Sequence, residues 1–228
     1  MNTEKFTGKA QAYAAARPGY PDAALEYICS LAPEGAVFAD IGAGTGKFTA
    51  LLARYGYEIF AVEPNGDMRE QLAATLAPFS NAKIAHGTAE ATTLPGHSVD
   101  IIACAQALHW FDMGAFQAEC RRIGKSGALA ISIYNNTPGG SSIAHSKQSA
   151  EAFFSSPATR EFQNPQFYSR ESWLRYMASH SHDPLPADPG YAAHVADMNA
   201  VFDRESVGGL LRRDVVTKVF SERVELLP

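Results

Sequence analysis

Ala36-Val-Phe-Ala-Asp-Ile41, then Gly42-Ala-Gly44-Thr-Gly46, then Lys47-Phe-Thr-Ala-Leu-Leu52 is the stretch that decides the fold. Its first six residues read as a short buried strand. Phe48, Leu51, Leu52 and Tyr55 then recur at i, i+3, i+4 and i+7. That is the spacing of one helix face, so residues 46–55 read as a helix. The glycines between them sit outside the carboxyl end of a strand, where an open α/β sheet binds its ligands. Glycine there lets the main chain turn sharply and come close to a ligand.

The alternation continues on both sides of this unit. Pro21 to Leu31 reads as a helix with Pro21 in its first turn. Tyr57 to Glu63 is a second strand. Asn65 caps a helix that ends before Pro78. Ala82 to His86 is a third strand, and the apolar run Val99 to Ala105 is a central fourth. Asp112 caps a helix to Ile123, and Ala128 to Tyr134 is a fifth strand. Strands separated by helices predict βαβ units and a parallel sheet covered on both faces. After residue 135 the pattern changes. Asn135 to Ser142 and Asp183 to Gly190 read as loops, and 143–154, 171–180 and 191–205 as helices. The runs 209–211 and 215–224 read as an antiparallel pair added to the sheet edge. This gives one domain over 1–228, with a core of 1–135 and 205–228 and a helical insert at 136–204.

Composition narrows the class. The chain has 228 residues, a net charge of −5 and only 19 Lys plus Arg against 24 acids, so nucleic acid is not expected as a partner. No run approaches the length and apolarity of a membrane span, and Met1 to Ala10 lacks the apolar core of a secretory signal. Cys29, Cys104 and Cys120 form no paired motif, which suggests reduced thiols and a cytoplasmic setting. His180-Ser-His182-Asp183 lacks further partners at ligand spacing, so no metal is expected.

Three ligand classes use a glycine loop of this kind. A P-loop needs GxxxxGK followed by Ser or Thr. Here the residue five before Gly46 is Ile41, and Phe48 follows Lys47. A dinucleotide loop needs GxGxxG, and the third glycine position holds Lys47. The spacing is GxGxG with Asp40 before it. That pattern resembles the class I methyltransferases, which bind S-adenosylmethionine. Further stretches carry the resemblance. Val62-Glu-Pro-Asn65 ends the second strand, Gly87-Thr-Ala-Glu90 ends the third, and His109-Trp-Phe-Asp112 follows the fourth. The last of these, with Tyr13-Ala-Ala-Ala-Arg17-Pro-Gly-Tyr20-Pro21 and Thr217-Lys-Val-Phe220, is similar to the methyltransferase type 11 subgroup, also described as trans-aconitate methyltransferase-like.

The resemblance implies a Rossmann-like sheet of seven strands, ordered 3-2-1-4-5-7-6 with the last strand antiparallel. It implies S-adenosylmethionine over Asp40, Gly42, Ala43, Gly44, Thr45 and Gly46, with its ribose on Glu63 and further contacts from Tyr13, Pro64, Asn65, Met68, Ala105 and Gln106. Thr88, Ala89 and Glu90 take the place near the adenine. The reaction is then methyl transfer to a small molecule, a carboxylic acid among the options. Methyl transfer asks the protein mainly to position reactants. His109 is a candidate base or hydrogen-bonding group, Trp110 a wall beside the sulfonium, and Arg17 a fork for an acidic group. Tyr134 points toward the same mouth. A non-catalytic module that binds the same cofactor, and an NAD-dependent oxidoreductase, remain as alternatives. The substrate and the oligomeric state are open at this level.

Overall fold

The computed structural model describes residues 19–137, 141–178, 184 and 187–228. Through the first half, helices and strands alternate. They are α1 Asp22–Ser30, β1 Val37–Ile41, α2 Lys47–Ala53, β2 Glu58–Val62, α3 Gly66–Leu76, β3 Ala82–Ala85, β4 Val99–Ala105, α4 Met113–Ile123 and β5 Gly124–Asn136. The second half adds α5 Ser141–Phe153, β6 Ala158–Gln163, β7 Gln166–Tyr168, α6 Arg170–Ala178, α7 Tyr191–Glu205, β8 Leu211–Arg213 and β9 Val216–Arg223. The expected caps form. Asn65 Oδ1 accepts from Met68 N at 3.0 Å and Asp112 Oδ1 from Ala115 N at 2.9 Å, each taking one of the donors a helix start leaves unpaired.

Seven strands make one sheet in the order β3-β2-β1-β4-β5-β9-β6. All pairs from β3 to β5 are parallel, and β9 runs antiparallel between β5 and β6. Counting only strands of this sheet, the order is 3-2-1-4-5-7-6, that of a Rossmann-like methyltransferase sheet. β1 is an interior strand, paired on both sides. Its apolar residues alternate between faces, and both faces are covered. Phe38, with Ile101, Ala103, Ile131 and Val219, packs on Leu25, Ile28, Phe48 and Leu52 of α1 and α2. Ile41, Ile102, Cys104 and Tyr134 pack with Phe116 and Phe153 from α4 and α5. Phe153 joins this second core through rings 5.0 Å from Phe116 and 4.8 Å from Phe154.

The structure corrects the second half of the sequence reading. Residues 158–163 are not helical insert but the edge strand of the main sheet. Ala158-Thr-Arg-Glu-Phe-Gln163 is exposed at every position but Phe162, so no apolar run marks it. Phe162 and Arg160 both lie against the Tyr27 ring, at 5.8 and 5.7 Å. Of the two runs expected to form an edge pair, only β9 enters the main sheet; β8 pairs with β7 in a separate two-stranded sheet. β5 spans 124–136, so Asn135 and Asn136 belong to a strand and not to the loop after it. Tyr55 lies beyond α2 and is 41% exposed, because the helix stops at Ala53.

The register fixes where the second half sits. Asn136 and Gln163 both oppose Val216, so β5 and β6 end at the same edge of the sheet. That edge is also the carboxyl end of β1 and β4. The described residues of 164–215 therefore project from this edge, and they build a small apolar cluster of their own around Tyr168, Trp173, Phe202 and Leu211. Asn135 and Asn164 each donate through Nδ2 to the Gly19 carbonyl at 3.0 Å, tying the start of the described chain to that edge. Among the described residues, no helix is long and apolar enough to cross a membrane.

Candidate functional site

The glycine loop leaves β1 through a tight turn in which Gly42 N and Ala43 N both donate to Val62 O, at 2.9 and 3.0 Å. Gly42, Gly44 and Gly46 all have left-handed backbone, with φ of 70°, 58° and 84°. Their surroundings differ. A Cβ on Gly46 would lie 2.6 Å from Leu72 Cδ1, and one on Gly42 would lie 3.0 Å from Ala107 Cβ. Among the described residues, one on Gly44 would meet nothing within 4 Å. Two glycines thus allow close packing of protein on protein. Gly44 faces open space at the centre of the loop.

Two buried carboxylates flank this loop. Glu63, just past β2, is 6% exposed. Its Oε2 accepts Gly44 N at 2.8 Å and its Oε1 accepts Asn65 N at 2.8 Å. Arg69, one turn into α3, donates to the Glu63 and Pro64 carbonyls and fixes the bend between strand and helix. Burial raises the Glu63 carboxyl above the ordinary range, against the opposing pull of Asn65 N, Gly44 N and Arg69. Asp40 is 1% exposed. Its Oδ2 accepts the Thr49 hydroxyl at 2.6 Å, and its Oδ1 is buried with no partner among the described residues. Desolvation, opposed by Thr49 and helped by the Glu63 charge, pushes Asp40 up to about 7.

The structure therefore joins Asp40, Gly42, Ala43, Gly44, Thr45, Gly46, Glu63, Pro64 and Asn65 into one constellation at the carboxyl ends of β1 and β2. Thr45 and Met68 are buried in it, Met68 on the first turn of α3. Thr88 and Ala91 close a turn by exchanging main-chain hydrogen bonds. Ala89 is 1% exposed within the α4-side core. Glu90 is engaged elsewhere, since its Oε1 accepts Asp112 N at 3.0 Å and so ties the Thr88 turn to the start of α4. Ala105 ends β4, and Gln106 turns the chain away with φ of 58° while its N–H still pairs with Ile133 O.

Leu108–Trp110 forms a single 3-10 turn after β4. His109 is exposed there, and its ring lies 4.7 Å from that of the half-buried Trp110. The hydroxyl of Tyr134, on β5, lies within 3.3 Å of His109 N and 3.4 Å of His109 Nδ1. Tyr13, Arg17 and the His180–Asp183 segment lie outside the described residues. Among the described residues, no three His, Cys, Asp or Glu side chains gather as a metal site. The sequence reading passed over Thr49 and Arg69. Thr49 stands nine residues after Asp40, one turn into the following helix. Arg69 lies four residues after the cap Asn65. Both spacings are visible in the sequence.

Residues 39–132 match the family model of the methyltransferase domain. An "Uncharacterized methyltransferase" of Mycobacterium tuberculosis is 35% identical over 130 residues, 57% of this chain and 51% of that protein. An "Uncharacterized methyltransferase-like" protein of Schizosaccharomyces pombe is 35% identical over 126 residues, 54% of this chain and 48% of that protein. The chain spans about half the length of the curated relatives it matches. Among solved structures, a "Putative Type II Methyltransferase" from Anaeromyxobacter dehalogenans superposes with a TM-score of 0.67 at 22% identity. The likeness covers 91% of this chain and 98% of that one. It shows that the fold is shared.

Proposed function

We propose that the chain is an S-adenosylmethionine-dependent methyltransferase acting on a small molecule, and that its acceptor is a carboxylic acid. The observation that carries the cofactor reading is the bond between the glycine loop and the carboxylate beside it, Gly44 N to Glu63 Oε2 at 2.8 Å. The match of residues 39–132 to the methyltransferase domain supports the same reading. The His109–Asp112 motif favours the trans-aconitate methyltransferase-like subgroup, and the carboxylate acceptor follows from that likeness.

The residues present fit the cofactor. A carboxylate offers about four lone-pair positions. Each Glu63 oxygen spends one on a main-chain N–H and keeps another, which suits the two neighbouring hydroxyls of a ribose. The open space at Gly44 admits a ligand against the backbone. The partnerless Asp40 Oδ1 suits a cationic or hydrogen-bond-donating group brought to the loop, such as an amino-acid ammonium. When bound, S-adenosylmethionine supplies an electrophilic methyl: the acceptor lone pair forms the new bond to carbon as the C–S bond breaks and its electron pair stays on sulfur.

This chain's residues then have separate tasks. Asp40, Gly42, Ala43, Gly44, Thr45 and Gly46 hold the amino-acid portion, and Glu63, Pro64, Asn65 and Met68 hold the ribose. Thr88, Ala89 and Glu90 border the adenine. Ala105 and Gln106 would border the cofactor's methyl end, and His109 and Trp110 would face the acceptor. The family likeness adds Tyr13 and Arg17 as candidates, Arg17 as the partner of an acidic group.

Calorimetric titration with S-adenosylhomocysteine, with NAD in parallel, tests the reading. Micromolar or tighter binding of the first alone is expected. Binding of NAD alone would replace it with an oxidoreductase.

A further inference from the structure

We propose that Tyr134 is a positioning residue that holds His109 as the neutral tautomer with its proton on Nε2, so that His109 offers the methyl acceptor a hydrogen-bond donor rather than a base. The proposal rests on the reading above that His109 faces the acceptor.

The argument starts from the Tyr134 hydroxyl. Tyr134 is 2% exposed, set among Cys104, Leu108, Phe116 and Phe153. Burial pushes its phenol well above the ordinary range, so the hydroxyl keeps its proton. Its oxygen has two partners on one residue, His109 N at 3.3 Å and His109 Nδ1 at 3.4 Å. A main-chain N–H can only donate, so it occupies an acceptor position of the phenol oxygen. The phenol proton then needs an acceptor of its own, since leaving a buried donor unpaired is costly. His109 Nδ1 is placed to receive it. An imidazole nitrogen that accepts carries no proton, which leaves the proton of the neutral ring on Nε2. The hydroxyls of Ser149, on α5, and Ser132, on β5, also stand beside the phenol oxygen and are the alternative acceptors.

The tautomer selects the substrate class. A phenol or alcohol acceptor must lose its proton during methylation, and a base beside it would help. His109 held in this state is no such base. An acceptor oxygen that arrives as an anion forms its bond to the methyl carbon without giving up a proton. The Nε2–H then donates to an oxygen of the same group and orients it. A carboxylate meets both conditions, having one oxygen to attack and another to accept.

Nitrogen-15 NMR of histidine-labelled full-length protein without cofactor tests this at about pH 8, above the ordinary imidazole pKa of about 6.5. His109→Gln assigns the signals. Wild type is expected to show one His109 form, with Nε2 protonated and Nδ1 at the shift of a hydrogen-bonded acceptor. Ser149→Ala and Ser132→Ala each remove an alternative acceptor and should leave that spectrum unchanged. Tyr134→Phe keeps the ring and should lose the Nδ1 hydrogen-bond shift and gain an Nδ1–H fraction. A proton on Nδ1 in wild type, or a Tyr134→Phe spectrum like wild type, would overturn the proposal. The wild-type spectrum decides even if the variant does not fold. Cofactor binding is judged separately by S-adenosylhomocysteine titration, which Tyr134→Phe should leave unchanged.

Discussion

Asp40 makes opposite demands on stability and on ligand binding, and the consequence can be measured. Its carboxyl is buried, half-satisfied by Thr49, and pushed up to about 7 from an unfolded value of 3.8. Below the unfolded value both states are protonated and the group is neutral toward folding. As pH rises above it, the unfolded chain ionises while the folded one does not, so stability falls until pH passes about 7. Three pH units at about 1.4 kcal/mol each put the full penalty at roughly 4 kcal/mol. Glu63, also raised by burial, acts in the same direction. A ligand ammonium reverses the demand, because it favours the ionised carboxylate. Affinity for S-adenosylhomocysteine should therefore fall about tenfold per pH unit below 7, with one proton released on binding at pH 6. Asp40→Asn should raise the cofactor-free melting temperature at pH 8 by several degrees and flatten its pH dependence. The same change should weaken S-adenosylhomocysteine binding at least tenfold. Titrations in buffers of different ionisation enthalpy count the proton, and pH-dependent melts read the stability. A flat affinity from pH 5 to 8, or an Asp40→Asn protein less stable than wild type at pH 8, would refute the reasoning.

Four further outcomes follow from the packing and the buried polar contacts. Gly46→Ala forces a Cβ to 2.6 Å from Leu72 at φ of 84°, so it should cost about 2–4 kcal/mol in denaturant unfolding. Gly44→Val adds its side chain into open space, so it should cost only the backbone strain of about 1–2 kcal/mol while abolishing cofactor binding by calorimetry. Burial pushes the Glu119 carboxyl up, but Arg122 and two Thr92 donors outweigh it and hold the group at about 2. The stability this adds is present above pH 4.5 and lost as pH falls toward 2, so Glu119→Gln should melt lower than wild type at pH 6 and converge with it near pH 2. Phe153→Ala should cost about 3–5 kcal/mol, read as a lower denaturant midpoint, because the ring is 1% exposed between Phe116 and Phe154.

The first half of the molecule was legible because each element there carries a local cause. β1 and β4 are apolar runs, Asn65 and Asp112 cap helices, and three alternate glycines require a turn that few other residues make. The place of Glu63 beside the glycine loop was legible because it ends a strand next to that turn. The second half lacked such causes. β6 is an exposed edge whose one half-buried apolar side chain, Phe162, leans on Tyr27, a contact 135 positions away in sequence (162 − 27). The pairing of β8 with β7 likewise depends on where α6 and α7 fold back. Glu90 shows a subtler limit. Its position after the third strand was read correctly, but its hydrogen bond to Asp112 N depends on how the turn after β4 approaches it. The Tyr134–His109 contact joins strand β5 to the turn after β4 and has no local sequence signal.

The central claim is that Glu63, tied to Gly44, holds the ribose of the cofactor. Its most direct test compares the affinities of wild type and Glu63→Gln for S-adenosylhomocysteine and for its 2′,3′-dideoxy analogue. Each hydrogen bond to a charged group is worth about 1.5–3 kcal/mol, so with both hydroxyls gone wild type should bind the analogue at least roughly 100-fold more weakly. Glu63→Gln should discriminate far less between the two. Equal binding of both ligands by wild type would contradict the account.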